Sequence, residues 1–301
     1  MKPVAVVAIG GNALLRPGDP ADIATQRANV GESARHLAQL ATHHRLVVTH
    51  GNGPQVGLLA LQSASDPDTP APPLDVLDAE SVGLIGYLLV QALSRFLDPA
   101  LVAAVLTRVV VEADDPAFHH PTKPVGPWYR HGRAQRLAEE NGWHLVEGEQ
   151  GFRRVVPSPE PQQIVELEAI EVLLEADRVV VAGGGGGIPV AVIGDQLVGV
   201  EAVVDKDLTS ALLAQALGAD RLIVLTDVDA VYLDHGEPSA RPIVDTTPAE
   251  LRRFRFAPGS MGPKIEAVCR FVETTGAEAS IGALQDADAV LAGDAGTTIH
   301  R

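Results

Sequence analysis

Two stretches of the same design decide the fold: VAVVAIGGN at residues 4–12 and RLVVTHGNGPQVG at residues 45–57. The first is a near-continuous apolar run that ends in glycines, the second repeats the arrangement, and the helix-like segment RANVGESARHLAQLATHH, residues 27–44, lies between them. Runs that are apolar throughout are typical of strands buried on both faces of a parallel sheet. The pattern therefore predicts strands that alternate with helices.

The same arrangement recurs further along the chain. Strand-like runs are LVAAVLTRVVVEA (101–113), DRVVVAGGGGGIPV (177–190), RLIVLTDVDAVYL (221–233) and a final AVLAG (289–293). Strands interleaved with helical segments predict an α/β fold, a three-layer α/β/α sandwich with an open, mostly parallel central sheet. Ligands of such sheets bind at the carboxyl ends of the strands, where the glycines fall here.

Two segments interrupt this alternation. Residues 65–75, SDPDTPAPPLD, are rich in proline and aspartate and predict an exposed loop. Residues 114–160 contain both tryptophans and are too long for a plain connection, so they predict a small protruding lid subdomain.

Composition limits the partners. The chain of 301 residues has 23 basic and 39 acidic residues and a net charge of −16, which argues against nucleic acid, although a local pocket can still bind an anion. The N-terminus has no signal-peptide layout, and we expect no apolar run of the roughly 20 residues that a membrane span requires. Helical spacing around the lone Cys269 predicts a buried thiol. We expect a cytoplasmic protein without a membrane partner.

Four glycine-rich turns could bind phosphate, because glycine lets several backbone N–H groups approach one anion. They are Gly10-Gly11-Asn12, Gly51-Asn52-Gly53, Gly183 to Gly187, and Gly259 with Gly262. The chain has no G-x-x-x-x-G-K-[ST] motif, and Ile188 breaks a G-x-G-x-x-G pattern. The turns thus predict a phosphate site that is neither an ordinary P-loop nor a dinucleotide site.

Lysine is rare among the basic residues: the chain has only Lys2, Lys123, Lys206 and Lys264. The last three lie in or beside loops rich in proline, glycine or aspartate. Any one of them could be there by chance or could cap a helix, but all three together indicate a function. A lysine is a compact point charge on a flexible stem, which suits the stabilisation of a phosphoryl group during transfer.

Asp205 and Asp207 flank Lys206 in VVDKDLTS. Asp207 suits the N-cap of the helix predicted for DLTSALLAQALG, and a capping aspartate can also orient a neighbouring lysine.

The ten histidines show no zinc-type spacing, so we expect no protein-held metal, and only His50 follows a strand near a pocket. A site without a general base fits an acceptor that is already an anion, such as a carboxylate or a carbamate.

These motifs resemble those of the carbamate kinases, which belong to the amino-acid-kinase superfamily. The resemblance covers essentially the whole chain and rests on AIGGNALL, VVTHGNGPQVG, PTKPVGP, RRVVPSPEP, VVAGGGGGIPV, VDKDLTSALLA, LTDVDAVY, GSMGPKIEA and AGTTI. It implies a homodimer and reversible phosphoryl transfer between ATP, bound with Mg²⁺, and carbamate. The resemblance further implies that in fermentative arginine breakdown the net direction is from ADP and carbamoyl phosphate to ATP.

The resemblance also assigns residues. It makes Lys123, Lys206 and Lys264 the transition-state lysines and Asp207 the aspartate that organises the other two. The loops around carbamate and phosphate would be Gly10, Gly11, Asn12, Gly51, Asn52, Gly53, Gly184 and Gly185. The nucleotide would lie near Thr226, Asp227, Tyr232, Met261 and Gly262. We expect the acceptor site in an N-terminal lobe, residues 1–218, and the nucleotide in a C-terminal lobe, residues 219–301.

Two positions depart from the family pattern: Ala230 replaces a usual glycine, and Val82 a common glutamine. Two other functions remain open. One is an acylphosphate-forming kinase that acts on a larger carboxylate. Two observations argue against it: the motif PTKPVGP, and the lack of an extra arginine or lysine that would bind an amino-acid substrate. The other is a regulator that binds nucleotide or acylphosphate without turnover, against which the three lysines argue, since a binder would tolerate arginine.

Overall fold

The structure, a computed structural model, describes residues 2–11, 14–16, 18–20, 22–64, 71–148, 150–257 and 259–301. Asn12 and residues 65–70 of the predicted loop lie outside the described residues. Residues 71–73 have no regular structure.

The elements follow in chain order. The strands are β1 (Val4–Ile9), β2 (Arg45–His50), β3 (Val102–Ala104), β4 (Arg108–Val110), β5 (Lys123–Tyr129), β6 (His144–Gly148), β7 (Gly151–Val156), β8 (Gln163–Ile164), β9 (Val179–Val181), β10 (Ile188–Ile193), β11 (Gln196–Gly199), β12 (Arg221–Thr226), β13 (Val231–Leu233), β14 (Arg241–Ile243), β15 (Asp245–Thr246), β16 (Glu278–Ala283) and β17 (Thr297–Ile299). The helices are α1 (Ile23–His43), α2 (Gly53–Ser63), α3 (Leu74–Leu93), α4 (His131–Asn141), α5 (Leu167–Glu175), α6 (Lys206–Ala216), α7 (Pro248–Leu251), α8 (Met261–Thr275) and α9 (Ala287–Ala292).

Among the residues that the structure describes, the central sheet has eight strands in the order β15-β17-β16-β12-β1-β2-β9-β3. From β16 to β3 every neighbouring pair is parallel, and β17 runs antiparallel to β16. Val7 lies at the centre, paired with Val48 of β2 on one side and Ile223 of β12 on the other. This confirms the predicted open, mostly parallel sheet.

Strand β1 explains why its sequence is apolar throughout. Val4, Val6 and Ala8 face a core formed with α5, α6 and α8, whereas Val7 and Ile9 face a second core formed with α1, α3 and α9. Both faces of the strand are therefore buried, as the uninterrupted apolar run predicts. The three-layer α/β/α sandwich is confirmed.

The strand predictions at 101–113 and 289–293 are wrong in detail, and the runs at 177–190 and 221–233 also each divide between the central sheet and a smaller sheet. The run at 101–113 forms two short strands in different sheets, β3 in the central sheet and β4 beside β10. Residues 105–107 between them have no regular structure, and the hydroxyl of Thr107 accepts from the N–H of Gly183. The run at 289–293 ends helix α9 and is not a strand. Alanine and leucine favour helix, and Gly293, at φ 80°, ends it.

The lid, residues 123–156, is a separate three-stranded sheet in the order β5-β7-β6 with helix α4. It has a small core of its own, formed by Tyr129, Ala134 and Leu137. The lid lies within the segment predicted for it. The division into lobes at residue 218 stays a prediction, since a single sheet includes strands from both sides of that boundary.

Among the described residues, α3 alone is long and apolar enough to cross a membrane by length and composition, contrary to the sequence expectation. More than half of its apolar window, 56%, is buried within the protein. Ile85, Leu89 and Leu93 lie fully buried in the core beside the central sheet. Helix α3 therefore has the packing of a core helix in a soluble protein.

Candidate active site

Three of the four glycine-rich turns lie where parallel strands of the central sheet end. Gly10 follows β1, Gly51 follows β2, and Gly183 begins the turn after β9. The fourth turn is different, since Gly259 and Gly262 lie at the start of α8 and do not follow a strand. The expectation of four strand-end turns is therefore corrected to three turns and a helix N-terminus.

The three internal lysines come from different elements. Lys206 is the first residue of α6, Lys264 lies in the first turn of α8, and Lys123 is the first residue of β5 in the lid. All three line one cavity of about 210 Å³. The same cavity is lined by five of the predicted substrate-loop residues: Gly11, Gly51, Asn52, Gly53 and Gly185.

Asp207 joins two of these lysines. Its Oδ1 accepts a hydrogen bond from Lys206, and its Oδ2 accepts one from Lys264 Nζ at 3.1 Å. Burial alone would raise the pKa of this carboxyl, but the two ammonium groups outweigh burial and lower its pKa to about 2. Asp207 is therefore ionised and fixes the spacing of Lys206 and Lys264.

Lys123 pairs instead with Asp205. Asp205 is also the N-cap of α6, where it accepts from the backbone N–H groups of Asp207 and Leu208. The prediction that Asp207 caps the helix is thus wrong, because Lys206 is already helical and the cap lies one residue before it. Sequence reasoning gave Asp205 no role, although its place directly before a lysine and a helix was the available signal.

The glycine run after β9 is required by close packing. A Cβ on Gly185, at φ 69°, would lie 2.5 Å from Asn52 Nδ2, and a Cβ on Gly184 would lie 2.3 Å from His50 Nε2. Gly185 lines the lysine cavity, whereas Gly184 faces His50 and does not. The run therefore serves packing as well as the cavity surface.

A buried polar cluster lies under the substrate loops. Asn52 Nδ2 donates to Asp78, and to Ser81 Oγ at 2.8 Å, so this predicted substrate residue has its amide nitrogen committed to α3. Burial raises the pKa of Asp78 to about 8 and lowers that of His50, at the end of β2, to about 4, which leaves both groups uncharged at neutral pH. Sequence reasoning missed Asp78, whose signal was an aspartate within an otherwise apolar helix face.

A second, larger cavity of about 1150 Å³ adjoins the first. Gly10 lines it, and so do four of the five predicted nucleotide residues: Thr226, Asp227, Tyr232 and Met261. The fifth, Gly262, does not line the cavity, and its N–H donates to Ala257 O at 2.8 Å. Gly11, Lys206, Gly259, Ser260 and Lys264 line both cavities. A large and a small ligand could therefore meet at Lys206 and Lys264.

No group of three or more metal-ligating side chains is found within the part of the chain that the structure describes. In the smaller cavity both carboxylates already bind lysines, since both oxygens of Asp207 and one oxygen of Asp205 accept from ammonium groups, whereas Asp227 and Asp234 line the larger cavity. Such a site fits a divalent ion that arrives on the phosphates of a nucleotide, since Mg²⁺ typically uses few protein ligands beside substrate phosphates.

The fold places two adjoining cavities, one large and one small, around Lys206 and Lys264. The sequence pattern of the amino acid kinase family matches residues 3–282, and the chain belongs to that family.

Within the family, the chain falls among the carbamate kinases. It is 47% identical to the carbamate kinase of Haemophilus influenzae, over 98% of this chain and 96% of the relative. It is 48% identical to that of Escherichia coli K12, over 98% of each. Among solved structures, carbamate kinase from Giardia lamblia bound to AMP-PNP is 38% identical with a TM-score of 0.91, over 99% of this chain and 98% of the other.

Proposed function

We propose that the protein catalyses reversible phosphoryl transfer between ATP and carbamate. In the direction of ATP use, a carbamate oxygen attacks the γ-phosphorus, a new O–P bond forms, and the bond from that phosphorus to the bridging oxygen breaks to release ADP. The acceptor is already an anion, so no proton has to be removed first. The observation that carries this proposal is the meeting of the two cavities at Lys206 and Lys264.

The lysines stabilise the phosphoryl group in flight. Lys206 and Lys264, spaced by Asp207, neutralise its oxygens from the body of the protein, and Lys123 does so from the lid. Charge spreads over three equatorial oxygens in this transition state, so electrostatic stabilisation and positioning supply most of the catalysis. The burial of Lys206, with 12% of its side chain exposed, supports the role because burial strengthens such interactions.

The loops would divide between the two substrates. Gly11, Gly51, Asn52, Gly53 and Gly185 surround carbamate and the transferring phosphoryl group in the smaller cavity. Thr226, Asp227, Tyr232 and Met261 contact the nucleotide in the larger one, whose volume of about 1150 Å³ supports the larger ligand there, and the AMP-PNP complex of the Giardia relative supports a nucleotide as that ligand. Magnesium enters with the nucleotide, where it neutralises phosphate charge.

We also propose that the protein is a homodimer. Exposed apolar side chains on α3 and on the β10–β11 hairpin support this, among them Tyr87, Val192 and Ile193, each more than half exposed. Helix α3 packs against β10, so the exposed side chains belong to neighbouring elements. Sedimentation-equilibrium mass measurement tests the assembly, and a mass near 31.5 kDa would contradict it.

We further propose that the protein acts in the cytoplasm, where ATP and ADP are abundant. There the net direction would be ATP formation from carbamoyl phosphate during arginine breakdown.

The reaction can be tested directly. Purified protein is mixed with carbamoyl phosphate, ADP and Mg²⁺, and ATP is measured by luminescence against a protein-free blank and a Lys206→Met variant. We expect ATP from the wild type far above both. No ATP above the blank would contradict the proposal, and nucleotide binding without turnover would favour a regulator.

A further inference from the structure

Asp205 divides its carboxylate between the body of the protein and the lid. Oδ1 accepts from the backbone N–H groups of Asp207 at 2.9 Å and Leu208 at 3.3 Å, and Oδ2 accepts from Lys123 Nζ. A single carboxylate therefore joins the first turn of α6 to the first residue of the lid sheet.

The side chains of Asp205 and Lys123 differ in conformational freedom. Asp205 is fixed by its capping bonds and by the glycine run, since a Cβ on Gly186 would lie only 2.2 Å from Val204 O, one residue before it. Its side chain is 10% exposed, whereas that of Lys123 is 34% exposed on a flexible four-carbon stem. The carboxylate is thus the stationary partner and the ammonium group the mobile one.

This pair must compete with an anionic substrate. Lys123 lines the same cavity as Lys206 and Lys264, but its hydrogen bond to Asp205 occupies it before any phosphate enters. We propose that Asp205 is a positioning residue, which keeps the Lys123 ammonium ordered at the cavity edge and releases it to a phosphoryl oxygen when the substrate binds. The identity of that substrate rests on the proposed function, but the exchange requires only a phosphate-like anion.

A double-mutant cycle tests this exchange, with inorganic phosphate as the probe in titration calorimetry. Asp205→Asn keeps a capping oxygen, since asparagine caps helices as well as aspartate, but it loses the charge that holds Lys123. Phosphate should bind Asp205→Asn about fivefold more tightly than wild type, because Lys123 no longer has a competing partner. In a Lys123→Met background the same substitution should change affinity much less.

A control variant and an NMR titration of the wild type complete the test. Asp22→Asn, which alters the N-cap of α1 outside both cavities, should leave phosphate affinity unchanged. Wild-type protein labelled with ¹⁵N has only four lysine Nζ signals, and phosphate should shift that of Lys123, even if an Asp205 variant fails to fold.

The outcomes separate this proposal from the reaction assigned above. Equal effects of Asp205→Asn in both backgrounds, or no shift of the Lys123 signal while that of Lys206 shifts, would overturn the exchange. If the effect of Asp205→Asn on phosphate affinity depends on Lys123 but the protein makes no ATP, the role of Asp205 stands and carbamate is not the substrate.

Discussion

Lys264 Nζ lies 3.1 Å from Asp207 Oδ2, and this contact joins α8 to α6. Because Lys206 binds the other oxygen of the same carboxylate, one buried aspartate determines how far apart two ammonium groups stand. Removing one partner of a buried ion pair is costly, since it leaves an uncompensated charge. The site is therefore sensitive to the protonation of Asp207.

Asp207 should make stability depend on acid pH. Its pKa is about 2 in the folded protein against an ordinary 3.8, so its ion pairs stabilise the fold fully above about pH 4. This stabilisation is lost as the pH falls from about 4 to 2. We expect wild type to lose on the order of 2 kcal/mol more unfolding free energy across that range than Asp207→Asn, measured by urea unfolding. A parallel decline of the two proteins would contradict the prediction.

Asp78 should have the opposite dependence. Its pKa of about 8 keeps it protonated in the folded state, whereas the unfolded chain releases that proton near pH 4. The folded state binds one proton more between these pH values, so the Asp78 contribution to stability falls as the pH rises. Asp78→Asn should gain about 3 kcal/mol relative to wild type between pH 5 and pH 8. Chemical unfolding at both pH values checks this, and a constant difference would show that Asp78 is ionised in the fold.

Gly57 should control the placement of the lid. A Cβ there would lie 1.9 Å from Gly126 Cα, where β5 of the lid rests on α2. Gly57→Ala should displace the lid base and Lys123 with it, which lowers turnover by about 100-fold, since misplacing a catalytic group by about 1 Å can cost that much. ADP binding, measured by calorimetry, should change little because Gly57 lies outside the nucleotide cavity.

The lid offers a matched control for that substitution. Gly132 lies on α4, and nothing is within 4 Å of a Cβ added there. Gly132→Ala should keep normal turnover and gain up to about 1 kcal/mol of stability, because alanine is the better helix former. Equal turnover of the Gly57 and Gly132 variants would show that contact with α2 does not position Lys123.

The central sheet could be predicted because its signal is local. The run that forms β1 is apolar at every position, as a strand buried on two faces requires, and the run that forms β2 has an apolar centre, Leu46 to Val48, before its glycines. The five-residue run at 289–293 lacked this information. Apolar residues in so short a segment are compatible with a buried helix as well as with a strand. In the structure the segment ends helix α9, which packs against β16.

The candidate site was readable only in part. The rarity of lysine singled out Lys123, Lys206 and Lys264, which the structure brings to one cavity, and their catalytic roles stay predictions. The sequence did not predict which lysines bind Asp205 and which bind Asp207. This pairing depends on where α6 begins and on which carboxylate the lid reaches, and both are set by tertiary packing.

The exchange of a single side chain tests most directly whether compact ammonium groups stabilise the phosphoryl group. The Lys206 side chain is only 12% exposed, and an arginine would place a wider and more directional charge there. Lys2→Arg is the matched control, because Lys2 binds Ala41 O at 3.2 Å and lines neither cavity. We expect Lys206→Arg to lower kcat for ATP formation about 100-fold or more, with an unfolding free energy within about 1 kcal/mol of wild type and normal turnover in Lys2→Arg. Near-normal turnover of Lys206→Arg would contradict the account.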